Sequence, residues 1–262
     1  MLILALDTTS EVGGVGVFRD DECLARVAND GPANGYSASL FYMLDKAIDE
    51  AKVRHGVPVR GLADMGLLAV ANGPGSFTGI RVGLAAAQGW AMAFGLPVRG
   101  VSVLEALVEA ARVRTDWAAS ILDARRGEFF VGLFYRVVGT TLVVAPAEAG
   151  RPQGPPLRED RPSYVPVGEG WLLRPEELNS FLTRHLPEGL GATCVVRGHD
   201  RAALALRENL SSSYQWQAVT GTLIESVARL GFRDFRIAKP QAAGDLDAYY
   251  IRRSDAETNW KG

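Results

Sequence analysis

Two periods of apolar and polar residues organise this chain. Short apolar runs bounded by turn residues occur at Leu2–Leu6, Gly13–Phe18, Cys23–Ala28, Met65–Ala71 and Pro97–Val101, and each predicts a strand. Between Ser37 and Val53 the spacing changes. Leu40, Met43, Leu44, Ala47, Ile48 and Ala51 recur at the helical period, while Asp45, Lys46, Asp49 and Glu50 fall on the other face. From Gly79 to Phe94 the chain is apolar nearly all round, with Arg81 and Gln88 as the only polar side chains. A spacing of seven puts those two on one face of a helix whose remaining sides are buried. Ser102 to Glu105 forms a capping-box sequence that opens a further helix to about Arg112.

A second series begins near Trp117. Ser120 to Asp123 ends a strand at an aspartate, as Leu4 to Asp7 does, and strands follow at Glu128–Val137 and Thr141–Val144. Asp7 to Phe18 and Asp123 to Phe134 have the same spacing, with Gly16 and Gly132 at the same offset, which reads as a weak internal repeat. Residues Ala147 to Arg161 are rich in proline and glycine and predict a loop. Helices are expected at Pro175–His185, Asp200–Asn209 and Gly221–Leu230, with a strand at Thr193–Arg197. Three strands, then helix, strand, helix, strand, helix, is the order of a ribonuclease-H-like lobe. The expected fold is therefore α/β, with two ribonuclease-H-like lobes of the actin and sugar-kinase superfamily. The expected division is an N-terminal lobe at 1–113 and a C-terminal lobe at 114–262, the latter carrying the loop at 147–161.

The centre of the chain is its most informative part. In Asn72 to Gly79 (NGPGSFTG), Gly73, Pro74 and Gly75 interrupt regular structure, and Ser76 or Thr78 is placed to cap the helix that follows. That helix is intrinsically poor, because each interior glycine costs about 1 kcal/mol relative to alanine. Tertiary or partner packing must hold it. Gly79, Gly83, Ala87 and Ala91 repeat every four residues and make a smooth stripe. Two readings of the stripe stand side by side: close packing inside the chain's own core, or a helix–helix interface with a second protein. The glycine spacing matches neither the dinucleotide fingerprint nor a P-loop, since no lysine follows. Pro74 stands where a nucleophile elbow needs its first glycine.

Composition adds limits. Hydrophobic residues make up 47% and charged residues 22% of 262, and the net charge is −2, so no basic block marks the chain as a nucleic-acid binder by itself. Cys23 and Cys194 are the only cysteines, which fits a reducing, cytoplasmic setting without a disulfide framework. MLILALDTT reads as a first strand and not as a signal peptide.

As strings, NGPGSFTGIRVGLAAAQG and FGLPVRGVSVLEAL closely resemble the bacterial TsaB (YeaZ) family, the non-catalytic partner subunit in the synthesis of threonylcarbamoyladenosine in tRNA. LALDTTSEVGGVGVF resembles that family's opening hairpin, LDARRGEFFVGLFY its second-lobe hairpin, and YIRRSDAE its C-terminal signature. The chain departs from the family pattern at Tyr36-Ser37, at Ala248 and in the length of its 147–161 loop. The resemblance implies a scaffold subunit that binds a TsaD-like catalytic subunit, with a TsaE-like ATPase in the larger complex, tRNA met only through that complex, and a homodimer when the chain is alone. It implies no catalytic, cofactor or metal residue here. It places the partner interface on the first two helices of the N-terminal lobe, at Leu40, Met43, Leu44, Ala47, Gly79, Arg81, Gly83, Ala87 and Ala91.

The catalytic relative TsaD holds metal through a His-x-x-x-His pair. The three histidines here, His55, His185 and His199, have no such spacing. No Ser/His/Asp or Cys/His set is legible, which disfavours a peptidase. Asp7 and Asp123 stand where sugar kinases and actin-like ATPases bind metal–phosphate. The favoured reading is that each instead caps a hairpin by accepting from the backbone N–H two residues on, with Glu11 repelling phosphate. An actin-like ATPase or small-molecule kinase acting alone is the alternative function.

Overall fold

The computed structural model describes residues 1–29, 35–138, 141–142, 163–186, 191–208, 210, 213–237 and 241–251. The first half forms β1 (Leu2–Asp7), β2 (Gly14–Arg19), β3 (Glu22–Ala28), α1 (Tyr36–His55), β4 (Leu67–Gly73), α2 (Phe77–Phe94), β5 (Val98–Ser102) and α3 (Val103–Ala111). The second forms β6 (Trp117–Asp123), β7 (Phe129–Val138), β8 (Thr141–Leu142), β9 (Ser163–Leu173), α4 (Pro175–His185), β10 (Ala192–Arg197), α5 (Arg201–Ala205), β11 (Gln215–Val219) and α6 (Ile224–Ile237).

The same plan is used twice. The first sheet runs β3-β2-β1-β4-β5, with β1 antiparallel to β2 and parallel to β4. In the second sheet β9 pairs with β7, and the order continues through β6, β10 and β11 with the same change from antiparallel to parallel pairing. Each sheet therefore has the ribonuclease-H-like strand order expected from the sequence, and the pair gives a duplicated α/β architecture. Strands inside these sheets are buried on both faces, which is why they read as continuous apolar runs and not as alternating ones.

Five layers follow. α1 and α2 cover the outer face of the first sheet, α4 and α5 the outer face of the second, and α3 and α6 lie between the sheets. The helices of the middle layer come from opposite halves of the chain. α6 follows the strands of the second sheet yet packs Ile224, Val227 and Ala228 into a core shared with Ile3, Ala5 and Ala69 of the first.

The repeated glycines explain how those helices get close. A Cβ on Gly16 would lie 2.7 Å from Ile224 Cγ2 and 2.7 Å from the ring of Phe18. A Cβ on Gly132 would lie 2.8 Å from the ring of Phe134, 3.0 Å from Ser120 Oγ and 3.1 Å from Leu104 Cβ. In each sheet the bare backbone lets the phenylalanine two residues on fold over it, and lets the first turn of a middle helix seat against it. Gly231 of α6 is similar, since a Cβ there would lie 2.6 Å from Ala69 Cβ.

Three sequence expectations change in detail. Ser102 precedes α3 but makes no side-chain cap, and Glu105, the other half of the expected capping box, instead pairs with Arg233 of α6 at 2.8 Å. Burial pushes the Glu105 carboxyl up, and the Arg233 guanidinium opposes that rise. The last helix begins at Ile224, after Gly221, and runs on to Ile237. β9 and β11 lack a strong apolar signature and were not expected. The proline- and glycine-rich loop at 147–161 lies outside the described residues, as do the ends of the expected strand at 141–144 and of YIRRSDAE.

If packing at the notch holds the sheets together, Ile224→Ala should lower stability by about 2–5 kcal/mol in denaturant unfolding. Arg26→Ala, which removes an exposed 2.7 Å pair with Glu225 on the same helix, should cost under about 1 kcal/mol. Equal losses would show that ion pairing and not the notch carries the contact.

Candidate functional site

Two places merit examination: the crevice at the strand ends around Asp7 and Asp123, and the helical face of α1 and α2.

At the crevice both aspartates act as turn caps. Asp7 Oδ1 accepts from Thr9 N at 3.0 Å and from Thr9 Oγ1 at 2.7 Å. Asp123 Oδ1 accepts from Arg125 N at 2.7 Å. Asp123 N donates to Asp200 Oδ2 at 2.7 Å, and Asp200 Oδ1 caps α5. Tyr36, the first residue of α1, is fully buried and its hydroxyl donates to Ser10 O at 2.8 Å. Burial, reinforced by the Asp7 carboxylate, pushes the Tyr36 hydroxyl well above the usual phenol range. His199 is pulled down by burial and by Arg197. Among the described residues no three of His, Cys, Asp and Glu converge at metal-like distances.

The helical face differs from the sequence expectation. Leu40, Met43, Leu44 and Ala47 are buried beneath α1, in a core shared with Val15, Val17 and Leu24. Gly79, Gly83, Ala87 and Ala91 also turn inward. The loop after β1 docks on the glycines. Thr8 Oγ1 donates to Gly79 O at 2.7 Å, and Ser76 N donates to Thr9 O at 2.7 Å. A Cβ on Gly79 would lie 1.9 Å from Thr8 O, and one on Gly83 2.3 Å from Thr8 Oγ1. The glycines of the stripe are thus the seat for the chain's own loop, Ala87 and Ala91 join the core, and all eight residues are buried within the chain. Helical periodicity marks the buried face and does not say what buries it. Ser76 caps α2, its hydroxyl accepting from Gly79 N at 3.3 Å.

Arg81 alone of the expected interface residues points outward. Its guanidinium lies 3.9 Å from the Phe77 ring centre and its Nε donates to Tyr250 Oη at 3.4 Å. Gln88, on the same face, donates to Leu246 O at 2.8 Å. The polar side of α2 therefore binds a strap, residues 246–250, which also meets Asn72 through Tyr249 N and Asp247 O.

Beside the exposed charges of α1, such as Asp45, Lys46 and Asp49, the two helices leave large apolar side chains exposed. Phe41 is 61% exposed, Tyr42 66%, Met92 77% and Phe94 47%, with Phe77 at 43% near the start of α2. Phe41 meets the edge of Trp90 at 5.8 Å between ring centres, which joins the two helices into one surface. Sequence reading missed these residues, although the all-round apolarity of α2 and the positions of Phe41 and Tyr42 off the Leu40–Met43–Leu44 stripe were a signal. Among the described residues the second half adds only Leu204 and Ile237 as large exposed apolar side chains before the strap.

Gly79→Leu and Gly83→Leu should therefore damage folding before association. We expect each to lower the thermal midpoint, with an overpacking cost of about 1–3 kcal/mol or more. Wild-type midpoints by circular dichroism would mean that the Thr8 loop gives way freely.

Known proteins resemble this chain over much of its length. The family model described as TsaD, tRNA N6-adenosine threonylcarbamoyltransferase, matches residues 33–151. The tRNA threonylcarbamoyladenosine biosynthesis protein TsaB of Bacillus subtilis is 30% identical over 146 residues, covering 56% of this chain and 60% of that one. The TsaB of Escherichia coli is 32% identical over 143 residues, covering 52% and 56%. The matched segment thus spans little more than half the length of these relatives. A crystal structure from Pseudomonas aeruginosa, described as an uncharacterized protein with similarity to peptidase YEAZ, superposes with a TM-score of 0.69 at 21% identity, covering 96% of this chain and 99% of that one. At that identity the superposition speaks for the fold.

Proposed function

We propose that this chain, which resembles the TsaB proteins of Bacillus subtilis and Escherichia coli, is a TsaB (YeaZ)-like non-catalytic scaffold subunit whose α1–α2 face binds a TsaD-like catalytic partner. The assembly threonylcarbamoylates adenosine 37 of tRNA, with a TsaE-like ATPase joining the larger complex in the cytoplasm. tRNA reaches this chain only through that complex. One observation supports the reading: α1 and α2 leave Phe41, Tyr42, Met92 and Phe94 exposed, and Phe41 meets Trp90 across the two helices. Patches of this kind on a water-soluble domain mark binding surfaces, and large aromatic and methionine side chains are enriched at interface centres. When the partner is missing, the same surface pairs with a second copy of the chain across a two-fold axis, so homodimer and heterodimer compete.

The interface residues proposed from the sequence keep a supporting role here. Leu40, Met43, Leu44 and Ala47 fix how α1 lies on the sheet, and Gly79, Gly83, Ala87 and Ala91 do the same for α2. Arg81, stacked on Phe77, sits at the rim, where a guanidinium on an aromatic ring suits a partner carboxylate.

The test is binding of a TsaD homologue by calorimetry. Replacing Phe41 and Met92 together by alanine should weaken it about 10- to 100-fold, as expected for exposed anchors. The thermal midpoint should stay within a few degrees of wild type, since both residues are exposed. The same double variant should sediment as a monomer under conditions where wild type dimerises. Wild-type affinity from a folded double variant would move the interface elsewhere. Magnesium-dependent ATP hydrolysis by the pure chain would favour a stand-alone ATPase or kinase instead.

A further inference from the structure

The strap that follows α6 touches both halves of the chain. Gln241 bridges to Val98 of β5. Leu246, 2% exposed, enters the core that α1 and α2 cover, its Cδ1 3.2 Å from where a Cβ on Gly100 would stand. Gln88 donates to Leu246 O at 2.8 Å. Asn72 holds the next stretch of main chain twice: its side-chain amide donates to Asp247 O at 3.2 Å, and its backbone carbonyl accepts from Tyr249 N at 2.8 Å. The strap is thus fixed to the first half largely through its own backbone.

The side chains that follow go separate ways. Tyr250 N donates to Ala248 O at 3.1 Å, which closes a three-residue turn around Tyr249. Tyr250 lies on α2, with its ring centre 5.6 Å from that of Phe77 and its hydroxyl accepting from Arg81 Nε at 3.4 Å. Tyr249 and Ile251 turn to the second half. A Cβ on Gly170 of β9 would lie 3.1 Å from Ile251 Cδ1 and 3.2 Å from the Tyr249 hydroxyl, so bare backbone receives both side chains. Gly170 has φ +89°, a conformation that suits glycine and keeps that backbone bare. Tyr249 and Ile251 pack with Leu172 against the core that the two halves share. Burial, reinforced by the Glu169 carboxylate, pushes the Tyr249 phenol up.

Three consecutive residues therefore hold two distant places. Each hold is one hydrogen bond or one side chain, and contacts linked this closely along the chain open as a unit. We propose that residues 246–251 are a clasp, a conformational device that makes the exposed start of α2 and the Glu169–Leu172 edge of β9 loosen and tighten together, although they lie in different halves. Its consequence for docking rests on the α1–α2 reading: a partner seated over Phe77 and Arg81 bears on Tyr250 and so tightens the edge of the second half. The clasp itself rests on the strap contacts alone and is tested without a partner, so the two readings fail separately.

Hydrogen exchange of the full free chain, read by mass spectrometry, tests it with one variant at each end. Gln88→Ala removes a strap bond in the first half and should speed exchange over residues 168–173 by about 3- to 10-fold, the effect of one lost hydrogen bond on a local opening. Ile251→Ala removes a strap contact in the second half and should speed exchange over residues 77–84 to a similar degree. β10 should keep its wild-type rate in both variants. Acceleration confined to the mutated end in either variant would overturn the clasp. So would acceleration that includes β10, which is general loosening of the fold. If Ile251→Ala does not fold, Ile251→Val takes its place with an expected effect of about 2-fold over residues 77–84, and no effect there is the same refutation.

Discussion

The approach of α3 and α6 to bare backbone on the two sheets is the constraint on which the rest of this molecule depends. Gly16 and Gly132 occupy equivalent places in β2 and β7, and Ile224 and Leu104 occupy equivalent places at the starts of α6 and α3. Each helix follows the last strand of its own sheet and bridges to the other half, so the middle layer is shared. Neither sheet has a complete core without the helix contributed by the other half. The charges along α6 are unequal in weight. Glu225 pairs with Arg26 on the surface and trims an arrangement already set by apolar contact, whereas Arg229 and Arg233 pair with Glu109 and Glu105 where little solvent reaches and cannot lose a partner cheaply.

The same economy of side-chain size governs α2. Small residues face the protein because the Thr8–Thr9 loop lies against the helix, and that leaves the outer side free to carry bulk. Gly79 and Gly83 look in sequence like a helix-packing stripe. In space they receive a loop whose threonine hydroxyl donates into the first turn of the helix. A periodicity argument finds a contact surface without identifying the second body, and here that body is the chain itself.

Much of the architecture was legible because the buried strands are continuous apolar runs and each half repeats one strand order. The spacing from Asp7 to Phe18 and from Asp123 to Phe134 preserved the duplication in a form that could be read, and the aspartates cap their turns as their position suggested. What could not be read depends on distant partners. Ser102 and Glu105 have capping-box spacing, but Arg233 lies 128 residues further along and takes the carboxylate (233 − 105). β9 and β11 are partly exposed strands, so pairing with β7 and β10 and not apolar content defines them. Arg197 gave no local sign at all. Its strand reads as ordinary, and only the fold carries the guanidinium to Val12 and Gly221. The outward aromatics of α1 were visible but unweighted, because an exposed phenylalanine in a helix is unremarkable until its neighbours are known.

Duplication also left the two outer faces unequal. Against the apolar surface of α1 and α2, α4 turns Glu176, Glu177, Asn179, Ser180, Thr183 and Arg184 to solvent. A body built from two like halves invites head-to-tail growth, each copy offering one half to the next, and open-ended fibres result when such contacts do not close. Among the described residues only the first half carries a group of large exposed apolar side chains on its outer helices. If the proposed face is the docking surface, the molecule has a valence of one, and assembly through it stops at a pair.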